Sequence, residues 1–448
     1  MMKCSISNLN VGRLVKLNCI LLLHISLLFF SKSTAAQSKQ PNIILIMADD
    51  LGYEAIEANG GRSYATPGIN RMAKEGMRFT NAHSTPLCSP SRIQLMTGKY
   101  NHRNYPGFGI IDTTEITFGH LLKAAGYRTG IAGKWQLYGN DIQQNLVGHR
   151  GSLPQEMGFD DYFLWNVDYT NKEWRYKNPT IYSNNGKKIF PGKYGPDLFF
   201  NWCKDFISDN KKAPFFLYYP MVLTHDPFQP PPGHVDYKGS IPASKGDTTY
   251  FRSMVHYMDS IVDQLIQHVR KEGIAEETII IFTGDNGTKN SIVSNFNGAK
   301  YRGGKGSTKV AGTHVPFVVL WDGRIKANSI NHNLVDFTDL LPTMMDVVGA
   351  KVPKDFKTDG ISLYGQLLNK KYPKVRDAIF CYYDPKWGNV KKSVWIHNKE
   401  WKLYETGEYY NILKDPLELK PITDQSLTKK EQLIKQSLKK DMTRILKN

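Results

Sequence analysis

The feature that most constrains the fold is a continuous apolar run, Asn42-Ile43-Ile44-Leu45-Ile46-Met47, followed by Ala48-Asp49-Asp50-Leu51-Gly52. A strand buried on both faces of a parallel sheet has this pattern, because helices cover both sides of such a sheet. Ligands of open α/β sheets bind at the carboxyl ends of the strands. The run therefore predicts a central strand that delivers Asp49 and Asp50 to a ligand-binding edge. Solvated turn residues are the alternative for this adjacent carboxylate pair.

Further apolar runs predict more strands, and polar residues follow them. These residues are Lys134 and Gln136 after the run 127–133, His225 after 215–219, and Asp285 and Asn286 after 278–282. Helical periodicity lies between the runs, at residues 116–125 and 248–273. The alternation indicates an α/β fold with a large, mostly parallel central sheet flanked by helices.

From about residue 346 the pattern changes to short alternating strands at 378–383, 392–397 and 401–404. A basic amphipathic stretch at 428–446 follows them. We predict a smaller C-terminal subdomain, an antiparallel sheet plus a helix, at 346–448 and a catalytic domain at 37–345.

Residues 140–200 have little periodicity and predict long loops. Their aromatic and cationic side chains suit a rim on which sugar rings stack, with Arg binding charged substituents. Ordinary packing is the alternative. The residues in question are Trp165, Tyr169, Trp174, Arg175 and Tyr176.

Residues 1–36 have the three parts of a secretory signal peptide. Lys3, Arg13 and Lys16 precede a mostly apolar run from Cys19 to Phe30, and small residues end at Ala36. The run is too short to span a bilayer comfortably, so we expect cleavage and an exported protein, periplasmic or secreted, without stable membrane insertion. A membrane-anchored start is the alternative.

The net charge of the chain narrows its partners. The full chain carries +17, and removing the four basic residues of the leader, Lys3, Arg13, Lys16 and Lys32, leaves +13. An exported basic protein suits a polyanionic polysaccharide substrate, although the charge also aids solubility. No recognition-helix or zinc-finger pattern is present, so nucleic acid is not an expected partner.

Three cysteines remain after the leader, Cys88, Cys203 and Cys381. An odd count in an exported protein leaves at least one thiol unpaired or chemically altered. Cys203 and Cys381 either pair with each other or stay buried.

Cys88 lies in a turn that favours anions. Ser91 to Met96 predicts a helix closed by Gly98, so Cys88 should sit just before the N-terminus, where free backbone N–H groups attract negative charge. Arg92 adds a fixed positive charge. A packed, unreactive thiol is the alternative.

Four side-chain oxygens suit a hard cation. Asp49, Asp50, Asp285 and Asn286 include neither His nor Cys, which favours Ca²⁺ or Mg²⁺ over Zn²⁺. The basic glycine-rich loop from Tyr301 to Gly306 adds Lys305 as an anion-binding candidate.

These motifs resemble the type I sulfatases of the alkaline phosphatase superfamily over nearly all of the chain after the leader. Cys88-Ser89-Pro90-Ser91-Arg92 is similar to the family's C-x-P-x-R signature, and Gly126 to Lys134 is similar to its second signature. The metal strand ends, the His225 loop, Lys305 and the segment from Trp401 to Pro416 follow in the family's order.

The resemblance implies an alkaline phosphatase-like fold and conversion of Cys88 to formylglycine by a formylglycine-generating or anaerobic maturase enzyme. Modified Cys88 would join the four oxygen ligands of Ca²⁺ and act as the nucleophile. Arg92 would stabilise the ionised nucleophile, Lys134 and Lys305 would bind sulfate oxygens, and His225 would protonate the leaving alcohol. Further substrate-binding candidates are Gln136, Arg302 and His314.

The chain departs from the family pattern in two places. Gln136 stands where the family commonly has His, and an amide cannot take a proton, so the base for sulfate release is not assigned. Val310-Ala311-Gly312-Thr313-His314-Val315-Pro316 replaces the usual E-G-G-x-R-V-P run. Any role of that acid and arginine is therefore not carried over.

The sequence as a whole predicts an exported sulfatase that hydrolyses sulfate esters of a sulfated polysaccharide or oligosaccharide, such as the algal glycans ulvan or carrageenan. A phosphodiesterase or phosphonate hydrolase of the same superfamily is one alternative. An inactive sulfoglycan-binding protein is the other, and Gln136 is its support.

Overall fold

The central sheet of the protein has ten strands. The structure is a computed structural model that describes Met1 and residues 40–168, 174–237, 248–371 and 374–447. The predicted signal peptide, apart from Met1, and Tyr169 lie outside these residues. In spatial order the strands are β12 (Ser329–Asp336), β2 (Met77–His83), β11 (His314–Leu320), β8 (Thr278–Gly284), β1 (Asn42–Ala48), β7 (Phe215–Pro220), β3 (Arg128–Lys134), β4 (Asp161–Trp165), β5 (Thr180–Ser183) and β6 (Gly186–Ile189).

The middle of this sheet is parallel, as the apolar runs predict. Strands β8, β1, β7, β3 and β4 are parallel neighbours. Strand β11 runs antiparallel to β8 and β2, and β5 and β6 form an antiparallel edge. Because β1 pairs with a parallel strand on each side, its carboxyl end meets those of β7 and β8 at one edge.

Alternate residues of β1 enter two different hydrophobic cores, one on each face of the sheet. Ile43, Leu45 and Met47 belong to one core, and Ile44 and Ile46 to the other. Helices that line the first core are Cys88–Thr97, Phe118–Ala124 and Leu340–Val347; those that line the second are Pro67–Glu75, Gly195–Asn210 and Phe251–Lys271. This two-sided burial explains the unbroken apolar run.

A four-stranded antiparallel sheet lies towards the C-terminus. It contains β13 (Ile379–Tyr383), β14 (Ser393–His397), β15 (Trp401–Tyr404) and β16 (Tyr409–Asn411) in sequence order. The helix Lys429–Lys447 packs on it through Leu438 and Met442. The smaller sheet plus helix is therefore confirmed, whereas the division of the chain at residues 345 and 346 stays a prediction.

Shorter elements complete the structure. Strands β9 (Val293–Phe296) and β10 (Ala299–Arg302) form a separate antiparallel pair. Short helices occur at Asn101–Asn104, Asp141–Val147, Val310–Thr313 and Tyr364–Leu367. Within the described residues, no helix has both the length and the apolar character needed to cross a membrane.

The expectation of long loops at residues 140–200 is wrong. This region contains the helix Asp141–Val147, strands β4, β5 and β6, and the start of the helix Gly195–Asn210. Asn140 caps the first helix by accepting a hydrogen bond from the Gln143 backbone. The polar strands β5 and β6 lie at the edge of the sheet, so they lack the apolar run that identifies a central strand.

Candidate active site

A cluster of buried carboxylates forms where β1 and β8 end. Ala48 pairs with Gly284 across these parallel strands, which places Asp49 and Asp50 beside Asp285 and Asn286. The Asp50 backbone N–H donates to Asp285 Oδ1 over 3.0 Å, and Asn286 Nδ2 donates to Asp50 Oδ1 over 2.9 Å. All four side chains are fully buried.

Three cationic side chains surround the carboxylates. Lys134 Nζ donates to both oxygens of Asp49, at 3.0 and 2.8 Å. Arg92 Nη2 lies 2.9 Å from Asp285 Oδ2. Lys305 Nζ lies 2.6 Å from Asp50 Oδ2. Each of three buried carboxylates thus has its own cation, as burial of charge requires.

The helix that carries the nucleophile candidate begins at Cys88 itself and ends at Thr97. The sequence predicts a start near Ser91, but Pro90 fits in a first helical turn because the N–H that proline lacks has no helical partner there. Cys88 Sγ donates to Gln136 Oε1 over 3.6 Å. Sγ and one oxygen each from Asp49 and Asp285 all lie within 4.8 Å of one another.

His225 follows β7 and faces Lys305. Its Nδ1 lies 2.6 Å from the carbonyl oxygen of Asp226 and 3.0 Å from Asp226 Oδ1, so this nitrogen carries the hydrogen. Its Nε2 then accepts from Lys305 Nζ over 2.9 Å. Burial, and next the charge of Lys305, lower the pKa of His225.

The electrostatics of the carboxylate cluster are unequal. Burial raises the pKa of Asp285, and the negative charge of Asp49 raises it further. Burial also opposes ionisation of Asp49, but the positive charges of Lys134 and Arg92 lower its pKa well below the usual range. Full ionisation of Asp285 is therefore disfavoured although each carboxylate has a cationic neighbour, and an additional cation would favour it.

A cavity of about 230 Å³ lies beside Cys88. Its lining combines aromatic rings, amides and one guanidinium: Phe108, Gln136, Gly139, Asn140, Gln143, Trp165, Asn166, Arg175 and Trp387. The rings of Phe108 and Trp387 stack with centroids 5.4 Å apart. Such a lining suits a ligand with both polar groups and flat apolar faces, because amides bind hydroxyls while rings pack on C–H faces.

The structure brings most of the predicted site residues together. Asp49, Asp50, Cys88, Arg92, Lys134, Gln136, His225, Asp285, Asn286 and Lys305 form one connected group through the contacts above. Gln136 has a left-handed backbone with φ of 54°.

Arg302 and His314 make contacts elsewhere. Arg302 is exposed on β10 and donates to the Asn290 carbonyl oxygen over 3.0 Å. His314 stacks on Tyr53, with centroids 3.9 Å apart, and its Nε2 lies 3.0 Å from the Thr80 carbonyl oxygen. Their role in binding substrate stays a prediction.

The aromatic residues of the predicted rim divide between the two interpretations. Trp165 and Arg175 line the cavity. Tyr176 is buried, and its hydroxyl donates to the Val222 carbonyl oxygen, so it is a packing residue. Trp174 is exposed at 45%.

Sequence reasoning missed Phe108, Asn166 and Trp387 at the cavity. No local pattern marks Phe108 and Trp387, because they come from different loops and only tertiary structure brings them together. Asn166 directly follows β4, so the position after a strand could have indicated it. The remaining thiols are simpler: Cys203 and Cys381 are free and buried, so the buried alternative is confirmed.

A parallel α/β sheet with oxygen ligands, basic side chains and a helix-borne cysteine at its carboxyl edge defines a hydrolase of the alkaline phosphatase superfamily. The chain belongs to the sulfatase family, because the model of the family described as "Sulfatase" matches residues 41–350. Residues 310–448 match the family described as "N-sulphoglucosamine sulphohydrolase, C-terminal". The protein is therefore a sulfuric ester hydrolase by family.

Relatives and solved structures agree. The chain is 31% identical to human Arylsulfatase A over 80% of this chain and 73% of that one. It is 29% identical to the N-acetylgalactosamine-6-O-sulfatase of Bacteroides thetaiotaomicron over 84% of each chain. The crystal structure of Ps i-CgsB in complex with k-i-k-neocarrahexaose superposes with a TM-score of 0.72 at 26% identity, covering 91% of this chain and 92% of that one.

Proposed function

We propose that this protein is an exported sulfatase that hydrolyses sulfate esters on a sulfated polysaccharide or oligosaccharide. The observation that carries the proposal is Cys88 Sγ within 4.8 Å of Asp49 and Asp285 oxygens, beside a cavity of about 230 Å³ lined by amides and aromatic rings. The names of the relatives, which include an N-acetylgalactosamine-6-O-sulfatase, support a sugar substrate.

The oxygen cluster fits a divalent cation, and we propose Ca²⁺, with Mg²⁺ second. Within the described part of the chain, the buried Asn286 Oδ1 has no hydrogen-bond partner. An amide oxygen without a hydrogen-bond partner, surrounded by carboxylate oxygens, is the kind of oxygen ligand set that hard cations prefer. Asp49, Asp50, Asp285, Asn286 and the modified Cys88 would hold the ion, which supplies positive charge that polarises the sulfate and the nucleophile when bound.

Cys88 would act after conversion to formylglycine by a formylglycine-generating or anaerobic maturase enzyme, and the hydrated aldehyde supplies a hydroxyl nucleophile. Arg92 is buried and charged, since the carboxylate of Asp285 holds it, and it would favour the ionised nucleophile. Lys134 and Lys305 point cationic donors at the same cluster and would bind the sulfate oxygens as charge develops.

His225 would protonate the alcohol oxygen as the S–O ester bond breaks. Its Nε2 carries no hydrogen and accepts from Lys305 Nζ over 2.9 Å, so the proton that Nε2 passes to the leaving oxygen first comes from the Lys305 ammonium along this hydrogen bond. Gln136 accepts a hydrogen bond from Cys88 Sγ and would orient that side chain. Gln136 offers no basic nitrogen, so the group that removes the proton from the second hydroxyl of the hydrated aldehyde, when sulfate is released, is not assigned.

The test is sulfate release from defined sulfated oligosaccharides, measured by ion chromatography on protein whose Cys88 has been matured. An aryl sulfate and an aryl phosphodiester are assayed in parallel. We expect turnover of sulfate esters, strong preference for the aryl sulfate, and loss of both activities in Cys88→Ala. Peptide mass spectrometry across Cys88 should find the aldehyde in protein from the native host.

Two outcomes would replace this proposal. Preferential turnover of the phosphodiester would favour a phosphodiesterase or phosphonate hydrolase. Glycan binding without sulfate release, in a preparation that carries the aldehyde, would favour a silent sulfoglycan-binding protein. An unmodified thiol at Cys88 in protein from the native host would remove the mechanism.

A further inference from the structure

Arg175 is a cationic side chain for which the reaction described above has no use. It lines the cavity beside Cys88, and its guanidinium lies over the Trp165 ring, 4.1 Å from the centroid. The side chain is 16% exposed. Stacking on an indole fixes the plane of a guanidinium, because cation and ring attract each other face to face. Arg175 is thus a preorganised charge at the cavity wall.

The contacts of Arg175 leave donors available. Its Nη1 lies 3.9 Å from Asp49 Oδ2, which is too long for a hydrogen bond. Lys134 already donates to that oxygen over 2.8 Å. Within the described residues, Arg175 Nη1 is buried and has no hydrogen-bond partner. An unsatisfied buried donor is costly, so its retention at a cavity favours a ligand that accepts from it.

When the charges of the site and of the cleaved sulfate are counted, the charge of Arg175 is not needed to balance that sulfate. Three carboxylates of the cluster are matched by Arg92, Lys134 and Lys305. A divalent cation would then match one negative charge on the sulfate ester and one on the ionised nucleophile. Asp226 has its own partner in Lys289. The positive charge of Arg175 remains, and a second anion on the substrate would balance it.

We propose that Arg175 binds a second anionic group, a carboxylate or a further sulfate, on the sugar that carries the scissile sulfate or on the adjacent sugar. The substrate is then a doubly charged saccharide, which deepens the proposed function and rests on it. The guanidinium fork suits both anions, since each offers two coplanar oxygens. Gln136 and Asn166 line the same cavity and suit the neighbouring hydroxyls.

The test compares matched substrates on wild type and Arg175→Gln. One pair is a sulfated disaccharide containing a uronic acid and its carboxyl-reduced counterpart. The other pair is a disulfated sugar and the same sugar with only the scissile sulfate. We expect wild type to prefer the charged member of one pair by about 10- to 100-fold in kcat/KM, and that pair identifies the anion.

Arg175→Gln should abolish this preference by raising KM for the charged member about 10-fold or more, with about 3-fold change or less for the neutral member. Arg175→Lys, which keeps the positive charge but lacks the two-pronged guanidinium, should lose part of the preference for the charged member. Arg324→Gln is the matched control, because Arg324 also lies over a tryptophan, Trp321, with 6.0 Å to the ring centroid, but is exposed and near the start of β8. Thermal unfolding confirms that each variant is folded.

Equal loss on both members of a pair would overturn the inference, since Arg175 would then serve the scissile sulfate. Absence of any preference in wild type would also overturn it. Calorimetric binding of the same saccharides to Cys88→Ala provides a readout without turnover. If no sulfate ester is hydrolysed, the proposed function fails, but binding still tests the role of Arg175. Loss of the preference for charged saccharides in the Cys88→Ala, Arg175→Gln double variant would support that role. A double variant that keeps the preference would refute it.

Discussion

Calcium should raise the melting temperature of the protein, and Asn286→Ala should remove most of that rise. Three fully buried carboxylates and the unpartnered Asn286 Oδ1 face one another in the folded state, and unfolding disperses them. A ligand that binds only the folded state at a hundred times its Kd stabilises by about 2.7 kcal/mol. Unfolding entropy of about 2.1 cal/mol/K per residue, over roughly 410 residues from Gln40 onward, converts this to about 3 °C.

The variant removes one ligand oxygen. If this weakens binding about 100-fold, the stabilisation at the same calcium concentration falls to about 0.4 kcal/mol, or about half a degree. Without calcium the variant should melt lower than wild type, because it loses the 2.9 Å hydrogen bonds that Asn286 Nδ2 donates to Asp50 Oδ1 and to the Gly287 carbonyl oxygen. Each calcium-induced rise is therefore taken from the calcium-free Tm of the same protein.

Differential scanning calorimetry of chelated protein, titrated with Ca²⁺ and separately with Mg²⁺, measures the effect. Asn290→Ala, an exposed asparagine four residues further on, is the control and should respond like wild type. The same calcium midpoint in wild type and Asn286→Ala would refute the assignment of Asn286 as a ligand. Absence of a calcium response in wild type would refute the site.

Three further predictions concern the nucleophile, acid stability and strand packing. Cys88→Ala should abolish sulfate release while circular dichroism and Tm stay near wild type; substantial residual turnover would contradict its role. Burial lowers the pKa of His397 to about 3, so the stability contributed by neutral His397 is complete above about pH 6.5 and is lost as pH falls towards 3, by about 1.4 kcal/mol per pH unit. His397→Gln should flatten the pH dependence of the free energy of unfolding in urea between pH 6.5 and 4.5, and unchanged slopes would exclude this. Gly133→Ala should lower the free energy of unfolding by about 2 kcal/mol more than Gly126→Ala, measured by denaturant titration. Both glycines have positive φ, but a Cβ at Gly133 would lie 2.0 Å from the Pro220 carbonyl oxygen, whereas a Cβ at Gly126 would meet open space. Similar denaturation midpoints for the two variants would argue against this clash.

The central strands and their carboxyl edge could be predicted because their signal is local. An apolar run such as Asn42 to Met47 identifies a doubly covered strand without knowledge of its neighbours, and parallel topology then brings the strand ends together. The metal-ligand candidates, Lys134 and His225 all follow such runs. They were therefore found without any three-dimensional information.

The edge of the sheet and the cavity could not be predicted in the same way. Strand β6 has only exposed residues, so its pairing with β5 depends on the hairpin turn and not on apolar periodicity. The turn signal Asn184-Asn185-Gly186 was present and would have indicated the hairpin. Trp387 and Phe108 are far apart in sequence, so their stacking has no local signature.

The C-terminal sheet contacts the loop that carries Lys305, one of the candidate active-site residues. Tyr383 Oη donates to the Gly306 carbonyl oxygen over 3.3 Å. The Tyr404 hydroxyl lies 2.9 Å from Thr308 Oγ1, and Lys402 Nζ donates to the Thr308 carbonyl oxygen. On the other side, the Gly306 backbone N–H donates to the Pro86 carbonyl oxygen over 2.8 Å, near the Cys88 helix. The small sheet therefore positions Lys305 against His225 and Asp50.

Tyr404→Phe tests this positioning. The variant keeps the ring but loses the hydroxyl contacts with Thr308 and Glu418. The contact with Thr308, worth about 1 kcal/mol, is the one that holds the Lys305 loop, so we expect about a fivefold loss in kcat on sugar sulfates. The loss should be smaller, about twofold or less, on an aryl sulfate, because its phenol leaves without full protonation by the His225 and Lys305 pair. Tyr410→Phe, on the neighbouring strand β16, is the control and should behave like wild type. Equal losses on the two substrates would place the effect on folding or sulfate binding, and not on protonation of the leaving group.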